Sequence, residues 1–258
     1  MAHPARYDAG FLQMKRMVKS GDIGQPLTIH GRGKSDHRGG GEDMMTLGTH
    51  IFDLQTFFFG EPESVWAEVR HDGKPIRWGA TCETVEPIGP AAGDDVFASF
   101  RFPCGVRGLF ESRRGLVDAA RQDTQMGIAV IGTQGTLSLR FDDMKDASLQ
   151  VSRLPFPPDV AACFEEVEVT DTRAIPGATP LDDSLRGSQT PRASMFLRSN
   201  RYAVWDLMRS IERDRQPLSN MYNARLALEM VYAAYASQLT GGPITLPLAD
   251  RAHPLERT

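Results

Sequence analysis

The chain has 258 residues and a mass of 28.5 kDa, enough for one large domain or two small ones with a buried core. Its 29 Lys and Arg against 33 Asp and Glu give a formal net charge of -4, which excludes a global electrostatic attraction to nucleic acid or an anionic membrane. The three widely spaced cysteines favour neither a disulfide framework nor a zinc site. No segment has the pattern of a membrane span or a secretion signal, so the sequence predicts a cytoplasmic protein.

The N-terminal elements are predicted to be one helix and one strand. The helix should begin at Asp8, a good N-cap, and end at Gly21. An alternating strand follows at 27–31, and a polar loop at 32–38 leads to a run of three glycines. The helix residues expected to point inward are Phe11, Met14 and Val18.

The segment 39–60, reading GGGEDMMTLGTHIFDLQTFFFG, predicts a glycine-rich entry and one apolar helix that Gly60 ends. Glycines 39–41 let the backbone turn sharply or come close to a ligand. On a continuous helix Thr46 and His50 share a face at spacing four. His50 then lies where the polar face meets an apolar stripe, and an imidazole can exchange a proton near neutral pH. The stripe consists of Leu47, Ile51, Leu54 and Phe58.

The middle of the chain alternates in the manner of strands joined by short turns, which indicates a mainly antiparallel sheet. The predicted strands are 64–70, 95–102, 106–113, 126–131, 136–140, 148–154 and 167–170.

The last third of the chain begins with 175–198, a Pro, Ser, Thr and Asp-rich stretch to which the sequence assigns no role. Two amphipathic helices should follow, one over 200–213 and one opened by Ser219 and continuing through Leu239, and both should cover one face of the sheet. The first of them groups Val204, Leu207, Met208 and Ile211.

Nucleotide-binding and nucleophile motifs are missing from the sequence. A dinucleotide-binding half needs a strand, a G-x-G-x-x-G turn and a helix, and the nearest match at 31–33 lacks the third glycine. No phosphate loop and no serine elbow is found.

Several ordered blocks between Arg6 and Leu248 carry a family resemblance. They include RYDAGFLQMKRMVKSGDIGQPLTIHGRG, the segment 39–69, DDVFASFRFPCGVRGLFESRR, IGTQGTLSL and GGPITLPL. Together they resemble the C-terminal domain of the Gfo/Idh/MocA oxidoreductases. The resemblance implies an α+β fold, an open and mainly antiparallel sheet with helices packed on one face. The chain looks like a single substrate-binding and oligomerisation domain, 1–258, with the NAD(P)-holding Rossmann domain and the lysine of the family's E-K-P motif expected upstream of Met1.

The resemblance also implies roles for individual residues. His50 matches the family's proton-transferring histidine, which takes the proton of a sugar or polyol hydroxyl during hydride transfer. The aspartate of the family's D-x-G-x-H motif falls on Thr46, which cannot carry a negative charge, so Asp43 is expected to take over its role or the reaction to work without it. NAD or NADP is expected as the cofactor of the full-length enzyme, and this chain alone is expected not to bind it.

Three further residues are candidate substrate ligands beside Asp43 and Thr46. Lys34 and His37 lie in the loop that enters the glycines, and Arg113 ends a strand where it could bind a carboxylate or phosphate.

Two other functions stay open at this point. The chain could be a non-catalytic binding or assembly module, or a metal-assisted lyase or epimerase that uses His37, Asp43 and His50. In each case the uncovered face of the sheet predicts a homodimer or higher oligomer.

Overall fold

The structure, a computed structural model, describes residues 3–117, 126–141, 148–155, 163–179 and 195–257. It begins with a 3-10 turn, Pro4–Tyr7, followed by helix α1, Ala9–Ser20. As predicted, the Asp8 carboxylate caps α1 by accepting from the Phe11 N–H at 3.1 Å, and Gly21 ends the helix with a left-handed φ of 85°.

The central segment forms two helices, so the prediction of one continuous helix was wrong. Helix α2 is Gly41–Met45 and helix α3 is Gly48–Phe59. The break lies at Thr46, whose φ of -96° and ψ of -82° leave the helical region. The spacing of four between Thr46 and His50 therefore does not place them on one helix face.

Within the described residues the strands form one ten-stranded sheet. Its path runs β10, β2, β4, β5, β1, β6, β7, β8, β9, and β3 pairs with the end of β2. The bounds are β1 Pro26–Arg32, β2 Ser64–His71, β3 Lys74–Pro75, β4 Asp95–Arg101, β5 Arg107–Arg113, β6 Gly127–Gly132, β7 Thr136–Arg140, β8 Gln150–Ser152, β9 Glu165–Glu166 and β10 Ile244–Thr245.

The predicted antiparallel character of the sheet is confirmed. The β4–β5 and β6–β7 hairpins have the expected turns, and among the named strand pairs β1 with β5 is the parallel one. Parallel pairing is possible there because the crossover between these strands contains both α2 and α3. The prediction of a strand over 167–170 was wrong: the strand in that region is β9, which pairs with β8.

Helices cover one face of the sheet, which confirms the α+β prediction. Along β2, β4 and β5 alternate side chains are buried, as in Val65, Ala67 and Val69 of β2. On this face the last helix α5, Met221–Thr240, whose N-cap is Asn220, packs on β2, α3 packs on β1, β5 and β6, and α1 packs on β7. The other face carries half-buried and exposed residues.

Helix α4, Met195–Glu212, does not cover the sheet as predicted, because it packs against the N-terminal turn Pro4–Tyr7. Its polar Ser199 and Ser210 are buried, and the apolar residues expected to face inward are exposed. Much of the preceding stretch, 180–194, lies outside the described residues. The exposed stripe contains Val204, Leu207, Met208 and Ile211.

None of the described helices has the length and apolar character that crossing a bilayer requires.

Candidate functional site

His50 is the third residue of α3 and lies where the start of that helix meets the N-terminal segment. The residue is half-buried, and its Nδ1 atom is inside the protein. The ring of His3 contacts it edge to face, with centroids 5.2 Å apart and planes at 86°. The ring of Phe141 lies on another side at 6.4 Å. Within the described part of the chain, the rings of His3 and Phe141 therefore restrict the orientation of the imidazole.

A buried ion pair lies next to this histidine. The Arg6 guanidinium donates from Nε to both carboxylate oxygens of Asp53, at 2.9 and 2.8 Å, and Asp53 is one helical turn after His50. Arg6 also donates to Thr56 Oγ1 at 3.1 Å. Because both charges are buried and multiply hydrogen-bonded, the pair anchors the N-terminal turn to α3.

His3, Arg6 and Asp53 were not identified from the sequence. The position of Asp53, three residues after His50 on the same helix, was a local signal for one of them. His3 and Arg6 join the site through contacts across more than 40 residues, which the local pattern does not contain.

Burial sets the protonation of these groups. It lowers the pKa of His50 from 6.5 to about 4, helped by repulsion from His3 and opposed by the Asp53 carboxylate. Burial, with repulsion from Arg6, likewise lowers the pKa of His3 to about 4. Burial also raises the pKa of Asp53, against the hydrogen bonds and charge of Arg6. Both imidazoles are therefore neutral at pH 7, and each has one nitrogen able to accept a proton.

Thr46 caps α2. Its hydroxyl donates to the Glu42 carbonyl oxygen at 2.9 Å, and its N–H donates to the same oxygen at 3.0 Å. The carboxylate that acts on His50 belongs to Asp53.

Asp43 is completely buried and links α2 to the sheet. Its Oδ2 accepts from the Ser112 hydroxyl of β5 and from the Ser35 N–H at 3.1 Å. Burial raises the pKa of this carboxyl group. These contacts hold the loop after β1 against β5.

The three glycines also contact protein. The N–H groups of Gly39, Gly40 and Gly41 donate to Asp36 O, Ser112 Oγ and Gly93 O, each at 3.0 Å. A Cβ on Gly41 would lie 2.0 Å from the Ala92 carbonyl oxygen. Because these amides already have acceptors, the segment does not form a phosphate cradle and does not fit the pyrophosphate of NAD(P).

The remaining predicted ligands lie apart from His50. Arg113 is on the uncovered face of β5, where it lines a cavity of about 510 Å³, and the sheet separates it from α3. Its Nε lies 3.7 Å from an Asp95 oxygen. Lys34 is half-buried in the loop after β1, and His37 in the same loop has 61% of its side chain exposed.

The predicted metal set is not brought together. Among the described residues, one group is close enough to share an ion, and it consists of His71, Asp72 and Asp94 at the β2–β3 turn. The Asp43 carboxylate is instead hydrogen-bonded inside the protein.

The family model for the GFO/IDH/MocA C-terminal domain matches residues 11–138. Among curated proteins, inositol 2-dehydrogenase of Salmonella typhimurium (strain LT2) is 59% identical over 27 residues, which are 10% of this chain and 8% of that protein.

Solved structures share the fold over nearly the whole chain. An oxidoreductase from Agrobacterium radiobacter in complex with NAD+, L-tartaric acid and magnesium superposes with a TM-score of 0.57 at 17% identity, covering 93% of this chain and 62% of its own. An NAD-binding oxidoreductase from Klebsiella pneumoniae superposes with a TM-score of 0.63 at 19% identity, covering 96% of this chain and 66% of its own. Aldose-aldose oxidoreductase from Caulobacter crescentus, complexed with glycerol, superposes with a TM-score of 0.60 at 16% identity, covering 94% of this chain and 62% of its own.

The chain thus spans less than two thirds of the length of these structures. The matched residues, the mainly antiparallel sheet and the structural neighbours agree in one assignment. Residues 11–138 of the chain are a GFO/IDH/MocA C-terminal domain.

Proposed function

We propose that the chain is the substrate-binding part, 1–258, of an NAD(P)-dependent sugar or polyol oxidoreductase, in which His50 exchanges the proton of the substrate hydroxyl. The observation that carries this proposal is the position of His50. Its imidazole is neutral, oriented by two rings and adjacent to a buried ion pair at the start of α3.

The chemistry of the site suits proton transfer. Oxidation of an alcohol requires a base for the hydroxyl proton, and reduction requires an acid that returns it. Because the His50 imidazole has a pKa of about 4, it is unprotonated at pH 7 and can accept a proton, although it holds that proton weakly. The Asp53 carboxylate favours the protonated ring and so raises its strength as a base.

The substrate class is inferred from similar proteins. The short match is to an inositol dehydrogenase, and one structural neighbour is an aldose-aldose oxidoreductase complexed with glycerol. The cofactor is inferred from a neighbour in complex with NAD+. Since Gly39–Gly41 does not fit a pyrophosphate, we place nucleotide binding outside this chain.

The test is His50→Ala in this chain joined to an NAD(P)-binding domain, with NAD(P)H formation from a panel of polyols as the readout. Loss of a general base should lower kcat by about 10²- to 10⁴-fold. The matched control is His71→Ala, which removes a half-exposed imidazole at the end of β2 and should leave kcat unchanged. Full activity of the His50 variant would contradict the proposed role.

A second candidate is a non-catalytic binding or assembly module. It is favoured by Thr46, which has no carboxylate and whose hydroxyl is used to cap α2. In that case His50→Ala should leave ligand binding, measured by calorimetry with the same polyols, as strong as in the wild type.

We also propose that the uncovered sheet face forms an interface between copies of the chain. Trp66 of β2 is 46% exposed there and contacts the ring of Phe97 of β4, with centroids 6.1 Å apart. An exposed indole packed on a half-buried phenyl ring of a broad sheet is typical of a protein contact.

A further inference from the structure

His3 is a completely buried imidazole in contact with His50. Its relative exposure is 0%, and among the described residues no atom hydrogen-bonds to either of its ring nitrogens. Its backbone N–H donates to Ser219 Oγ at 3.1 Å.

The segment that carries His3 is held at three points. Arg6 is paired with Asp53 of α3. The Tyr7 hydroxyl donates to Asp206 Oδ2 of α4 at 2.8 Å and accepts from the Ser219 N–H at 3.1 Å. Since α3, α4 and the residues before α5 all hold this short segment, the place of the His3 ring is fixed.

An imidazole at this position is costly for folding. Burying polar atoms without hydrogen bonds is unfavourable, and a phenylalanine would fill a similar space without desolvating two nitrogens. The ring therefore contributes something that an apolar side chain would not, and the side chain it meets edge to face is His50.

We propose that His3 is a positioning residue for His50, which fixes the plane of the His50 ring by edge-to-face contact and, when His3 is itself protonated in acid, opposes protonation of that ring. This inference rests on the proposed function, in which His50 moves the proton of the substrate.

Charge supports this role. Two imidazoles 5.2 Å apart inside a protein repel each other when both are protonated, so the pair readily takes up only one proton. Among the described residues, the charged groups that act on the two rings are Asp53 of α3 and Arg6 of the N-terminal turn. Within the same part of the chain, Phe141 is a further ring neighbour of His50, and it is uncharged. A proton on His3 therefore opposes a proton on His50.

The experiment is an NMR titration of the histidine ring carbons in the full chain between pH 3 and 8. The variant is His3→Phe, which keeps a ring in the same place. In the wild type the His50 signal should titrate in two steps around pH 4, since the pair is coupled. In His3→Phe the His50 signal should follow a single step displaced upward, toward 6.5. The midpoint should move only part of the way, because burial is the larger cause of the lowered His50 pKa and remains in the variant.

His253 is the control ring. Burial lowers its pKa, but its ring neighbours are Tyr232 and Tyr235, so its titration should not change in His3→Phe. A second variant, His3→Ala, should increase the ring motion of His50, seen as broader or averaged signals.

An unchanged shape and midpoint of the His50 titration in His3→Phe would overturn the inference. A merely structural His3 would change the unfolding temperature and leave that midpoint in place. The proposed function fails separately, through full activity of His50→Ala, so the two failures are distinguishable.

Discussion

His3 and His50 couple the stability of the fold to pH at the level of single residues. Both have a folded pKa of about 4 against an ordinary value of 6.5. Between these values the unfolded chain binds more protons than the folded chain. Above pH 6.5 the two neutral rings therefore leave the free energy of unfolding at its full value. As the pH falls toward 4, that free energy decreases.

The first prediction at this scale concerns acid unfolding. The free energy of unfolding, measured by urea titration, should fall between pH 6.5 and 4, with each buried ring contributing up to about 3 kcal/mol. The double variant His3→Phe and His50→Phe should flatten this dependence. Removing the exposed His37 should not, and a wild-type slope in the double variant would show that other groups cause the loss.

A second prediction concerns Gly41, where the backbone leaves no room for a side chain. A Cβ at Gly41 would lie 2.0 Å from the Ala92 carbonyl oxygen and 2.5 Å from the Tyr235 hydroxyl. Gly41→Ala should therefore lower the free energy of unfolding by about 1–3 kcal/mol or more.

The matched control for Gly41→Ala is Gly242→Ala, since a Cβ at Gly242 would meet no atom within 4 Å. Thermal unfolding of both variants checks the expectation. Equal melting temperatures would mean that α2 and the loop beside Ala92 are less closely packed than the structure has them.

At the level of elements, the sequence predicts local structure well and tertiary partners poorly. Helix α1 and the β4–β5 and β6–β7 hairpins follow from caps, turn residues and alternation, which act over a few residues. The break before α3 does not follow from such local signals, because threonine is tolerated inside helices. Here Thr46 ends α2 only through its local capping bonds.

The candidate site shows the same limit. His50 is identified by its place in the segment and by the family resemblance, whereas the partners His3 and Arg6 come from the N-terminal segment, more than 40 residues earlier. Asp43 and Arg113 were predicted as ligands from their positions in the sequence. In the fold Asp43 is buried inside the protein, and Arg113 lies on the opposite face of the sheet. Neither placement follows from the neighbouring residues in the sequence.

Helix α4 gives the prediction at this scale. Ile211 is 74% exposed and Ile51 of α3 is completely buried, although both are isoleucines on amphipathic helices. Ile211→Ser should change the free energy of unfolding by less than about 0.5 kcal/mol. Ile51→Ala should cost about 2–5 kcal/mol, since it leaves a cavity in the core. Chemical denaturation of the two variants checks this, and a large loss in Ile211→Ser would mean that this stripe is covered in solution.

At the level of the whole molecule, the uncovered sheet face has a pattern suited to pairing with itself. Charges alternate in sign between neighbouring strands, with Asp95 of β4 lying between Arg70 of β2 and Arg113 of β5. Next to them are the exposed ring of Trp66 and the half-buried ring of Phe97. A two-fold axis through such a face can bring each charge near an opposite one and bury the aromatic rings together.

The final prediction tests this face by oligomeric state. Light scattering of the wild-type chain should give about twice the monomer mass of 28.5 kDa or more. Trp66→Glu together with Phe97→Glu should give the monomer, because each copy would have to bury two unpaired carboxylates in the contact. Ile211→Glu, on the exposed side of α4, is the matched control and should leave the mass unchanged. A monomeric wild-type chain would show that copies do not pair through this face. An oligomer that survives the double substitution would show that the contact between copies lies elsewhere.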